Sequence, residues 1–178
     1  MAALSRPRQL LGQTLYVLAA LLLVAGALLP LSPGRIAWPG PDLLAALTLA
    51  WVLRRPEQVP VLVVAGVMLA ADILLFRPLG LGAAIAVVAT EVARHHQHRW
   101  RAQGFLVEWM RVAILMGMMV LAERVIRTLF LVPATLAPLP PLGQDMLRLI
   151  ATVGAYPLVV AVLATLGLRR AAPSALDP

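Results

Sequence analysis

The sequence predicts an all-α integral membrane protein, a six-helix transmembrane bundle forming a single domain over residues 1–178. Three observations carry this expectation. Only 13% of the 178 residues are charged while 61% are hydrophobic, against roughly 25% charged in soluble domains. Long apolar runs follow one another, each bounded by Pro, Gly or Arg. The fifteen basic residues are all arginine, and most of them lie between those runs, where they set topology rather than bind nucleic acid. The absence of cysteine excludes a disulfide framework and thiol chemistry.

The first predicted helix covers 10–29 and stops at Pro30 and Pro33. Its apolar part is longer than the ~7–15 residues of a signal-peptide core, so it reads as a retained span despite Arg6 and Arg8 before it. The second helix, 42–53, starts at Pro41 and Asp42. At ~1.5 Å per residue it covers only ~18 Å of a ~30 Å hydrocarbon core. It crosses if its neighbours shield it or if the Trp38–Pro41 lead-in lengthens it. The third helix is expected over 59–76, and the fourth over 79–94 after the turn "RPLG". The fifth covers 105–132 and the sixth 142–168, separated by the proline-rich outer loop at 133–141. Pro157 falls inside the sixth helix, where it removes one donor and crowds the carbonyl of Val153, so a kink is expected.

With six spans, Arg6, Arg8, Arg54, Arg55, Arg94, Arg99, Arg101, Arg169 and Arg170 share one side, and only Arg35 and Arg77 the other. The positive-inside rule then places both termini of a multi-pass membrane protein in the cytoplasm.

Charged residues within apolar helices are expensive and are therefore the candidate site. Asp72 lies near the outer end of the third helix. Glu123, Arg124 and Arg127 share a ~100° sector of the fifth, and Asp145 and Arg148 open the sixth. The expectation is an outer ion-pair cluster, with Glu123–Arg127 inside one helix and Arg124 or Arg148 reaching Asp72. Such a cluster can hold helices together, form a proton or substrate path, or dock a partner. Glu91 with Arg94 and Glu108 with Arg111 read as interfacial helix-end pairs. "RHHQHRWR" at 94–101 matches no common zinc spacing and reads as a solvated basic loop. The methionines around "LMGMMV" are adaptable packing. No nucleophile elbow, phosphate-binding glycine loop or metal motif is present, so neither enzymatic activity nor a cofactor is expected.

The stretches "WPGPDLLAALTLAWVLRRPEQVP", "GVMLAADILLFRPLGLGAA" and "YPLV" occur in an order that resembles the MreD family of the bacterial cell-elongation machinery. The resembling positions are Pro41 and Asp42, Gly66 and Asp72, and Leu79 and Gly80. The resemblance implies a non-enzymatic subunit of the rod complex, or elongasome, in the inner membrane. It would bind a single-span MreC-like protein and act beside the MreB filament and the glycosyltransferase–transpeptidase pair of lateral peptidoglycan synthesis, with no nucleic-acid partner. The MreD family is in turn similar in fold to the six-helix substrate-binding subunits of energy-coupling vitamin transporters, which supplies the alternative function. Small residues mark close helix contacts in lipid, and Gly66, Ala70 and Ala71 form a candidate face, either for a partner helix or for packing within the bundle.

Overall fold

The computed structural model describes residues 6–29, 40–101, 104–130 and 140–168. Pro30, Pro33, Arg35, the start of the Trp38–Pro41 lead-in, most of the 133–141 loop and Arg169–Arg170 lie outside the described residues. Six α-helices follow one another: α1 (Arg6–Leu28), α2 (Leu43–Arg54), α3 (Val61–Leu74), α4 (Leu81–Arg101), α5 (Phe105–Phe130) and α6 (Leu142–Thr165). A short 3-10 turn, Pro56–Gln58, joins α2 to α3, and there is no strand among the described residues. Among the described residues, three segments are long and apolar enough to cross a membrane: Gln9–Leu28 in α1, and all of α5 and α6.

α2 starts where its cap residues demand. The Asp42 carboxylate accepts the Ala45 amide at 3.1 Å, satisfying one of the orphan donors of the first turn. Ten of the twelve α2 residues are buried, because α1, α4, α6 and the 3-10 turn all pack around it. A helix enclosed by protein presents little of its length to any solvent, and its bounds are set by the Asp42 cap and by Pro56 after Arg55. Around Trp51, Tyr16 of α1 packs edge-on with ring centroids 5.6 Å apart. The Tyr16 hydroxyl meets Thr48 Oγ1 at 3.0 Å, and the Trp51 indole donates to Gln58 Oε1 at 3.2 Å. Gln58 lies so close over Gly12 that a Cβ there would collide with it. A side chain at position 12 would push the end of Gln58 aside and with it the acceptor of the Trp51 indole.

α3 begins at Val61 rather than at 59, because Pro56–Gln58 takes up the 3-10 turn and Pro60 stands at the helix cap. It ends in a Schellman motif, with the Arg77 amide on the Asp72 carbonyl at 2.9 Å and the Phe76 amide on Ile73 at 3.3 Å. The left-handed residue of this motif is Phe76, at φ 52°, and not glycine. α6 ends in the same motif with Gly167 in that place, at φ 81°. Gly80, at φ 79°, closes the turn into α4.

α4 departs from expectation. It does not stop at 94 but runs to Arg101, so the basic stretch is helical and not a loop. No Pro or Gly interrupts the chain between Gly82 and Gly104, and the side chain of Arg94 donates to the carbonyls of Pro56 and Val59 at 2.7 and 2.9 Å. Arg94 also pairs with Glu91 at 2.9 Å, but within α4 and not at a helix end as expected, because the helix continues for seven residues beyond it. No group of three metal-ligating side chains comes together among the described residues.

The small residues that permit close packing differ from those expected. Ala83, Ala86, Ala89 and Ala93 of α4 are buried, as are Ala46 and Ala50 of α2, where α4 packs on α2 and α3. Gly66 has open space beside it and Ala71 is 1% exposed, so these two do not share a face.

Pro157 sits within α6, and the carbonyl of Val153 that it leaves without an amide accepts the Trp109 indole N–H at 2.9 Å. A side chain from α5 thereby replaces the missing backbone donor.

Candidate functional site

One end of the bundle collects the starts of α2, α4 and α6 and the ends of α3 and α5. Asp42 is its hub. Its Oδ2 accepts Arg148 of α6 at 2.6 Å and Arg77, from the α3–α4 turn, at 3.4 Å. Its own backbone amide donates to Thr152 Oγ1 at 2.8 Å, and Thr152 donates in turn to the Arg148 carbonyl at 2.7 Å. One aspartate therefore caps α2 and ties it to α6 and to the α3–α4 turn. Pro41 before it is exposed.

Around this hub, Arg124 of α5 binds Asp145 in the first turn of α6 at 2.5 Å and the Pro140 carbonyl at 3.2 Å. Arg127 pairs with Glu123 one turn away at 3.4 Å, as the spacing predicts. These residues line a cleft enclosing about 100 Å³, floored by Met68, Met116 and Met119.

Asp72 also lines the cleft, but the expectation that Arg124 or Arg148 reaches it is overturned. Its Oδ2 accepts the backbone amides of Gly80 and Ala83, both at 3.1 Å. The carboxylate thus caps α4 from the preceding helix, where the orphan amides and the positive end of the helix dipole favour a negative charge. Gly82 is necessary to this arrangement, since a Cβ there would strike the Asp72 carboxylate. Arg148, left free of Asp72, goes to Asp42, and Arg124 goes to Asp145.

Of the candidate residues, Asp42, Asp72, Glu123, Arg124, Arg127, Asp145 and Arg148 meet in one cleft. Gly80 supports it through the turn, while Gly66 lies on the outside of α3 with no side-chain neighbour. Arg77, Gly82 and Thr152 were not singled out by the sequence. The signal for Arg77 is its place after a helix end, opposite a capping aspartate. Nothing local announces Thr152, which contacts a residue 110 positions away.

A second polar centre lies toward the opposite end. Glu108 opens α5 and was expected to pair with Arg111 at an interface. Instead it is 2% exposed and accepts the Tyr156 hydroxyl at 2.9 Å, with the Arg54 guanidinium at 3.5 Å. Arg54 also donates to the Ala50 carbonyl at 3.0 Å. The knot joins α2, α5 and α6 across 54 and 48 residues of sequence.

Comparison with protein-family models, with curated proteins and with solved structures finds no match to this chain.

Proposed function

We propose that this protein is a multi-pass subunit of the bacterial inner membrane, both termini cytoplasmic, that organises other membrane proteins instead of catalysing a reaction. In this reading all six helices form the membrane bundle and α2 crosses while enclosed by its neighbours. The observation that carries the reading is the contrast between surface and interior. The outer faces of the long helices are apolar, with Leu106, Met110, Ile114, Met118, Leu121 and Val125 forming one exposed stripe on α5, while Arg54, Asp72 and Glu108 are buried and further charged groups pair with one another at the Asp42 end. Such a molecule acts on its surroundings through its helix faces and short connections.

The MreD-like order of "GPDLL", "GVMLAAD" and "RPLGLG" supports a place in the rod complex. There the chain binds a single-span MreC-like protein and supports lateral peptidoglycan synthesis and cell shape. The open Gly66 on α3 is the candidate contact for a partner helix, since a missing side chain lets backbones approach closely.

The charged cleft favours the second reading, a substrate-binding subunit of an energy-coupling vitamin transporter. Beside it a second pocket of about 700 Å³ shares Asp42, Arg77 and Arg148 and falls within the ~300–1,000 Å³ of small-molecule sites, so experiment and not size separates the two readings. Depletion of the protein in its host decides between the two. Rounding of rod-shaped cells with unchanged vitamin uptake is the expected result. Normal shape with loss of uptake of one vitamin would overturn the first reading in favour of the second.

A further inference from the structure

The faces that the bundle turns outward differ in apolar length. On α5 the exposed row from Leu106 to Leu129 covers ~35 Å at ~1.5 Å per residue. The exposed rows from Leu142 to Val162 on α6 and from Leu10 to Leu28 on α1 cover ~30 Å and ~27 Å. Each comes close to or exceeds a hydrocarbon core of ~30 Å.

The α3–α4 side falls short. With 14 residues, α3 spans only ~21 Å. Its apolar surface closes at the Asp42 end with Phe76 and Leu79, 94% and 71% exposed in the turn. At its other end lies the Pro56–Gln58 turn, with Glu57 exposed. α4, which packs on α3, is longer, but its outward row changes character partway. Ala84 and Val88 are followed by Glu91, His95 and Arg99, all exposed. Arg94 fixes the level of that change, because it donates to the carbonyls of Pro56 and Val59 beside the start of α3. From Leu81 to Arg94 is again ~20 Å. Two neighbouring helices thus give the same short apolar band.

Neither tilting nor snorkelling removes this mismatch. A tilt of the whole bundle lowers the height of every face, the short one included. The Arg94 guanidinium is held by two backbone carbonyls, so it does not reach along its stem toward the headgroups. Charge left in hydrocarbon is costly, and the bilayer's remaining response to a short apolar face is to become thinner. We propose that the α3–α4 face thins the bilayer beside it and gathers short-chain lipids, while the α1, α5 and α6 faces meet a layer of ordinary thickness. This rests on the membrane reading given above, but not on any role in the rod complex.

The chain has no cysteine, so single introduced cysteines report on chosen faces. Leu69→Cys on α3 and Ile114→Cys on α5, both at exposed positions, are labelled with a fluorophore in the purified full chain. The protein is reconstituted into vesicles of equimolar monounsaturated phosphatidylcholines with chains of about 14 and about 22 carbons, one of the two brominated as quencher. At Leu69→Cys, quenching is expected to report a local share of short lipid at least about twofold that of the long one. No such preference is expected at Ile114→Cys, and brominating the long lipid instead reverses the order of the two sites. Glu91→Leu combined with His95→Leu carries the apolar row of α4 further and lowers the preference at Leu69→Cys. A chain that fails to float with the vesicles would overturn the membrane reading and this proposal together. A chain that floats but is quenched equally at both faces, prefers the long lipid at α3, or is indifferent to the changes at Glu91 and His95 would overturn this proposal alone.

Discussion

The two polar centres of this bundle are built from the same residue types but do opposite things with them. At the Arg54 end, the Arg54 guanidinium, the Glu108 carboxylate and the Tyr156 hydroxyl are closed off from solvent, with the side chains of Arg54 and Glu108 each 3% exposed. At the Asp42 end, four arginines line an open cleft, and Arg77 and Arg148 keep 33% and 38% of their side-chain surface exposed. A closed pair in a low-dielectric setting holds helices together, since removing one partner strands the other. An open, part-exposed cluster contributes little to stability by comparison. Burial, not residue identity, separates the structural centre from the candidate functional one.

The largest expected effect tests the closed centre. Glu108→Ala leaves the Arg54 guanidinium and the Tyr156 hydroxyl facing a vacated site, and a loss of about 3–5 kcal/mol is expected for breaking a buried pair. Chemical unfolding of the purified protein measures it. A loss under about 1 kcal/mol would show that the knot is solvated and erase the contrast.

An intermediate effect belongs to the Asp72 cap. Gly82→Ala forces the Asp72 carboxylate away from the α4 amides and is expected to cost about 1–3 kcal/mol, the range for overpacking. In the Asp72→Ala background the same substitution is nearly neutral, because the group it strikes is gone. The double-mutant cycle reads the coupling directly, and additive losses would mean that Gly82 matters for another reason.

The smallest effect is expected in the open cleft. Arg127→Gln removes a part-exposed pair with Glu123 and should change stability by less than about 1 kcal/mol, measured by the same chemical unfolding. A loss comparable to that of Glu108→Ala would make the cleft a second structural knot.

Much of the architecture was legible because local signals carry it. Proline and glycine stops, the Pro41–Asp42 start and the apolar runs located all six helices to within a few residues, apart from the C-terminal end of α4. The error at α4 came from reading charge as a loop signal, when an uninterrupted helix with Arg94 bonded to two carbonyls continues through charged residues. The Glu123–Arg127 pair was legible for the same reason, since both residues sit on one helix at fixed spacing.

What the sequence determined by itself is therefore the all-helical plan, the apolar runs, the start of α2 at Asp42 and the gathering of Asp72, Glu123, Arg124, Arg127, Asp145 and Arg148 at a single end. The place of Asp42 and Arg77 in that group came from the structure. Periodicity, helix-stop chemistry and the cost of charge among apolar residues act within a few residues of each position, so they can be read from the chain alone. Only the tertiary structure decided the partners. Asp72 turned to the amides of Gly80 and Ala83 because the α3–α4 turn brings them nearer than any guanidinium. Arg148 found Asp42 across 106 positions, and Glu108 found Arg54 and Tyr156 instead of the arginine beside it in sequence. Which opposite charge lies within ~4 Å depends on how the helices are arranged around α2, and several pairings satisfy the same sequence equally well until that packing is set.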